Sequence, residues 1–275
     1  MLKNLYSLIL LVVYFTFPIA INSQVNYSAS GNSKFDLKPL TSISDKSIKT
    51  SEELSFQKLN NYCSYIKKDA LVQLYKDVVF NNANCGIYDP VLTMQWKSKI
   101  VIYLDKSLPK KIRKDFITFF QQINDIENLD IEFTRNKEKA NYLIKDTSED
   151  LLAKTDLYDK KESYPLSHVY YDLLNDTNSK FFGGTLSINL DAIKDKKLIL
   201  PKLKQLFFIS LGQFVIDRNV EKSSLLRIGY ENTNQILEKD LSLLKLHYIQ
   251  IHETPLSCLS YSKFISKLKL TCLDE

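Results

Sequence analysis

The stretch that most constrains the fold is KIVIYLD, residues 99–105. Its apolar centre is continuous rather than alternating, the pattern of a strand covered on both faces. Ser107 and Pro109 then open a helix whose Ile112, Phe116, Phe119, Phe120 and Ile123 fall on one side. LDIEFT (129–134) alternates, and NYLIKD (141–146) supplies another short strand. Strand, helix, strand in that order favours parallel pairing through a right-handed crossover. HVYYDLL (168–174) and TLSINLD (185–191) are two more strand candidates, separated by an Asn-Asp-Thr-Asn-Ser turn region and by Gly183-Gly184, read as a turn before the second strand.

Three helices flank this α/β (α+β) core. Thr50 and Glu53 form a capping box, after which Leu59, Tyr62, Cys63, Ile66, Ala70, Leu74 and Val78 recur at the spacing of one amphipathic helix. LPKLKQLFFISLGQFV (200–215) is apolar almost throughout and reads as a buried helix with neither histidine nor carboxylate. NQILEKDLSLLKLHYIQ (234–250) reads as a second long helix, with Ile236, Leu237, Leu241, Leu244 and Tyr248 on one side.

Residues 5–21, LYSLILLVVYFTFPIAI, follow Lys3 and lead into small or polar residues at Ala20–Ser23, which reads as a secretory signal peptide over 1–23. The alternative is an uncleaved anchor, in which case this segment is the protein's only membrane contact. Residues 24–50 are rich in Ser, Asn, Lys and Asp, with too little apolar surface to offset chain entropy, and read as a flexible leader. The remaining divisions are an N-terminal helical segment at 51–96, the main domain at 97–250 and an extension at 251–275 carrying a cysteine pair. All four cysteines, Cys63, Cys85, Cys258 and Cys272, lie beyond the signal, so an oxidising compartment and two disulfides are expected, with three connectivities open. The local pairs Cys63 with Cys85 and Cys258 with Cys272 are favoured. No cysteine pair has zinc-ligand spacing. The net charge of +5 is spread over scattered Lys-Lys pairs close to acidic residues, a solvated surface rather than a nucleic-acid footprint.

Three phrases carry a resemblance. KANYLIKD (139–146) looks like a strand entry of the metzincin-like zincin fold, and EKDLSLLKLHY (238–248) resembles the Asp-x-x-x-Leu-x-x-Leu-Tyr pattern of its last helix, with His247 in place of the second leucine. FISLGQF puts Leu211-Gly212 where that family has the Leu-Gly after its second histidine. The order of elements over about 97–250 resembles a degenerate metzincin-like domain of secreted or periplasmic bacterial proteins of unknown function. The resemblance implies a mixed, mostly parallel sheet with packed helices and an antiparallel edge strand.

The family's chemistry needs two histidines four apart, a glutamate beside the first, a glycine and a third ligand three residues on. With Gly212 as that glycine, the ligand positions fall on Gln205, Ile209 and Val215 and the base position on Leu206. Ile and Val offer no lone pair and a single Gln amide is a poor ligand, so no zinc-bound water is available as nucleophile. The three histidines, His168, His247 and His252, sit on separate elements and would all be consumed by one zinc site. Asp217 reads as a loop aspartate or a remnant polar contact. Glu149-Asp150 and Asp130 with Glu132 read as solvated acids rather than a glycosidase pair, and no G-x-S-x-G elbow occurs. The resulting expectation is an exported non-catalytic domain without cofactor, acting on a protein or glycan partner or as an envelope component; the alternative is a secreted hydrolase with an unrecognised site.

Overall fold

A computed structural model describes residues 56–81, 91–151 and 166–273. The signal segment, the leader, the capping box and Cys85 lie outside them. The described elements are α1 (Phe56–Ile66), α2 (Asp69–Phe80), β1 (Gln95–Trp96), β2 (Ile100–Leu104), α3 (Lys110–Phe120), β3 (Ile131–Thr134), β4 (Tyr142–Asp146), β5 (Val169–Asn175), β6 (Lys180–Ile188), α4 (Ile199–Ser210), α5 (Glu238–His247) and α6 (Cys258–Leu273).

The strands form one mixed, mostly parallel sheet of six. β2 pairs parallel with β3 on one side and β4 on the other, and β4 pairs parallel with β6. β6 is long enough to take β1 at Lys180–Phe181 and β4 at Gly184–Ile188. Along its other edge runs β5, the antiparallel strand.

Register puts Leu104, Ile144, Leu186 and Tyr171 in one row and Ile102, Tyr142, Gly184 and Leu173 in the next on the same face. This face is buried. The row between them, Tyr103, Leu143, Thr185 and Asp172, points the other way and is half-buried apart from Tyr103. The continuous apolar run of β2 therefore does not reflect equal cover on both faces, and only one face packs fully against helices.

That packing is aromatic. The Phe207 ring of α4 lies 4.7 Å from Phe120, 5.4 Å from Phe116 and 5.2 Å from Tyr142, all near edge-on. These contacts join α3 and α4 to the centre of the sheet, and truncating one such ring to alanine costs about 3–5 kcal/mol.

Several boundaries differ from the sequence reading. Gly183-Gly184 is not a turn; both residues lie inside β6. A Cβ on Gly184 would stand 2.7 Å from Leu173 and 3.0 Å from the Tyr142 ring, so the missing side chain is what lets its neighbours close over the strand. The N-terminal helix is two helices, broken where Lys68 turns extended (φ −84°, ψ 92°). The 234–250 helix shrinks to α5, because Leu237 is extended and the Ile236 amide donates to Gln122 Oε1.

The disulfide also differs. Cys63 is bonded to Cys272, 209 residues away, rather than to Cys85. α1 and α6 pack side by side, bringing the two Cα atoms to 5.7 Å. The bridge also excludes the favoured Cys258–Cys272 pair, since proximity in sequence carries no information about the return of the C-terminal helix. Cys258 is buried and disulfide-bonded too. Lys269 of α6 pairs with Asp69 of α2 beside the clasp.

In the entropic account a bridge closing so long a loop contributes about 5 kcal/mol. Cys63→Ala/Cys272→Ala is expected to lose that much in equilibrium unfolding, and peptide mapping without reductant should recover Cys63 linked to Cys272.

Candidate functional site

α4 holds the expected metal-ligand positions, and it is enclosed on nearly every side. A helix buried all round must satisfy each polar side chain it carries. Lys202 Nζ donates to Ser167 O at 3.0 Å and lies 3.5 Å from Ser167 Oγ. Lys204 Nζ donates to Asn232 Oδ1 and Thr233 O and sits 3.9 Å above the Phe119 ring. Burial lowers the pKa of each lysine to about 8. Ser210 Oγ donates to Phe207 O, 2.7 Å away, and lies 2.8 Å from the Tyr142 hydroxyl, which it accepts.

Gln205 Nε2 donates to Arg227 O at 2.6 Å, so this ligand position anchors a loop. Leu206 and Ile209 are 1% and 3% exposed and belong to the core. Each contributes about 1.5–3 kcal/mol by burial. Gly212 does not supply the left-handed turn, which falls on Gln213 (φ 50°). Its role is close approach: a Cβ there would lie 2.6 Å from the Phe214 ring and 2.9 Å from His247 Nε2. Val215 leaves the helix altogether and donates its amide to Val78 O at 2.7 Å. It lines an open depression that also includes Asp77 and Asp217.

The three histidines do not converge. His168 precedes β5, whose Val169 pairs with Ile188, whereas His252 bonds Gln95, which pairs with Lys180. Eight residues of β6 separate those ends, roughly 26 Å of strand. His168 holds a left-handed backbone (φ 65°). His247 and His252 are neighbours in the C-terminal region. His247 Nε2 lies 2.8 Å from the Met94 carbonyl, which can only accept, so this nitrogen carries the proton. Nδ1 then accepts from the Tyr75 hydroxyl at 2.9 Å. Burial pushes the His247 pKa down to about 4, and burial with the Lys180 charge does the same to His252. Among the described residues no three His, Cys, Asp or Glu side chains come together in a metal-binding group.

Asp240 is the buried carboxylate to which the sequence assigned no role, although it opens the Asp-x-x-x-Leu-x-x-Leu-Tyr pattern. It accepts from Ser224 Oγ and from the Leu225 amide, both at 2.7 Å, and so holds the 221–227 turn on α5. Burial outweighs these bonds and raises its pKa to about 6. Asp130 and Glu132 both face Lys99 at the surface, as solvated acids do.

The pH dependence follows. Asp240 binds its proton more tightly folded than unfolded, so its contribution falls as pH rises from about 4 to about 6, by about 3 kcal/mol. His247 and His252 act oppositely: they are held neutral in the fold, and stability is lost as pH falls from about 6.5 to about 4. Asp240→Asn should therefore gain stability relative to the parent across pH 4–6, measured as the difference between two denaturant series. Gly212→Ala should cost about 1–3 kcal/mol through overpacking against Phe214 and His247, read from thermal or denaturant unfolding. No described helix is long and apolar enough to cross a membrane. No protein-family model matches the chain, and neither does any curated protein.

Proposed function

We propose that this chain is an exported, non-catalytic domain of metzincin-like descent that acts by binding a protein or glycan partner, or as an envelope assembly part. One observation carries the reading: the positions that must coordinate zinc are occupied by Gln205, tied to a backbone carbonyl, by Leu206 and Ile209, packed in the core, and by Val215, outside the helix. A catalytic zinc needs three donors and an open position, and these residues offer one spent amide. The kinship is supported by the antiparallel edge strand β5 and by α4 following directly on the β5–β6 hairpin. Export is supported by the disulfide, which fits an oxidising compartment.

A hydrolase remains the second reading because Lys202 Nζ lies 3.5 Å from Ser167 Oγ with its pKa lowered to about 8, the pairing by which a lysine activates a serine. Both side chains are buried, which shields them from a polymeric substrate.

Metal analysis of the purified disulfide-bonded protein, combined with a peptide-cleavage assay, separates the readings. The expected result is substoichiometric zinc and no cleavage. One zinc per chain with chelator-sensitive cleavage would sink the proposal; chelator-resistant cleavage abolished by Ser167→Ala would replace it with the serine–lysine reading.

A further inference from the structure

The β5–β6 hairpin carries a motif that the fold leaves unused. Asn175-Asp176-Thr177 is an N-x-S/T sequon whose middle residue is not proline. The chain's other such sequon, Asn26-Tyr27-Ser28, lies outside the described residues. An N-linked glycan is bulky and hydrated, so its asparagine must stand where the finished fold leaves open surface.

Asn175 is exposed, and so are Thr177 and Asn178. The turn is closed without either sequon side chain. The Asp176 amide donates to Lys180 O at 2.9 Å and the Ser179 amide to Asp176 O at 3.0 Å, while Asp176 Oδ1 accepts the Asn178 and Lys180 amides. Asn175 Nδ2 donates to the adjacent Asp176 O at 3.1 Å, and the Thr177 hydroxyl has no hydrogen bond among the described residues. The strand register adds a second observation. Leu174 pairs with Gly183 and Asn175 with Phe181, so Phe182 is an extra residue with no cross-strand partner. Phe182 is 51% exposed, an apolar ring left in water beside the sequon.

We infer that Asn175 is an acceptor for N-linked glycosylation, the donor being an oligosaccharide carried on a polyprenyl diphosphate. Asn175 Nδ2 attacks the anomeric carbon of the first sugar, and the new C–N bond forms as the C–O bond to the diphosphate breaks. The polyprenyl diphosphate leaves with that electron pair, and one Nδ2 proton passes to a base of the transferring enzyme. The second Nδ2 proton stays, so the bond to Asp176 O is kept. The Thr177 hydroxyl is the group the enzyme recognises, and the attached sugar covers part of the Phe182 ring. The inference rests on the export half of the reading above, because the donor meets the chain only in the compartment that receives it. It is independent of the zinc question.

The test is cell-free translation of the full-length Asn26→Gln chain with eukaryotic secretory microsomes, followed by protease protection and digestion with peptide N-glycosidase. The protected chain is expected to carry one glycan that the glycosidase removes, and peptide mapping should place it on Asn175. Asn175→Gln and Thr177→Ala should each lose it completely, whereas Thr177→Ser keeps the hydroxyl and should retain it. The modified chain should still form the Cys63–Cys272 bridge, as expected if the glycan fits the finished fold. A chain that stays outside the vesicles and is digested overturns the export reading and this inference with it. A protected but unmodified chain overturns the inference alone, as does a modification that survives Thr177→Ala or a glycan that prevents the bridge from forming.

Discussion

The enclosure of α4 governs much of the rest of the structure. Four polar side chains on a helix with almost no wet face each require a partner, and the chain supplies five residues from three directions: Ser167 before β5, Tyr142 in the sheet, and Arg227, Asn232 and Thr233 in the segment between α4 and α5. That segment has little regular structure of its own, yet Gln205 and Lys204 hold it from within and Asp240 holds it from α5. An unmet hydrogen bond in such a place costs about 1–3 kcal/mol, so the loop geometry follows from the helix as much as from its own residues.

Burial works against charge on several interior groups. His247 is neutral, with its tautomer fixed by a carbonyl on one side and a tyrosine hydroxyl on the other. Asp240 holds its proton more tightly than an exposed carboxyl does. An imidazole bonded at both nitrogens has none left for a metal. The same geometry that makes His247 a sound core residue therefore disqualifies it as a rescue ligand, and Gly212 closes the space beside it.

The ends of the described chain meet at the clasp between α1 and α6, and α2 packs against α5. The polar depression arises here, at the seam where α2 reaches the chain leaving α4. The residues that line it come from segments some 140 positions apart, Asp77 and Asp217, neither part of any motif. Sequence spacing has no means of pairing such residues.

Element type was written in local pattern. Strands β2 to β6, α3 and the buried α4 follow from apolar runs and turn residues, because side-chain period and backbone propensity act over a few neighbours. The lack of a zinc-ligand set at Gln205, Leu206, Ile209 and Val215 was equally legible, being a matter of residue chemistry alone. Tertiary structure decided what depends on distant partners: the Cys63–Cys272 bridge, the break at Lys68, the absorption of Gly184 into β6 under Tyr142 and Leu173, and the burial of Asp240. In each of these the deciding energy comes from a group far away in the chain, and a local reading contains no term for it.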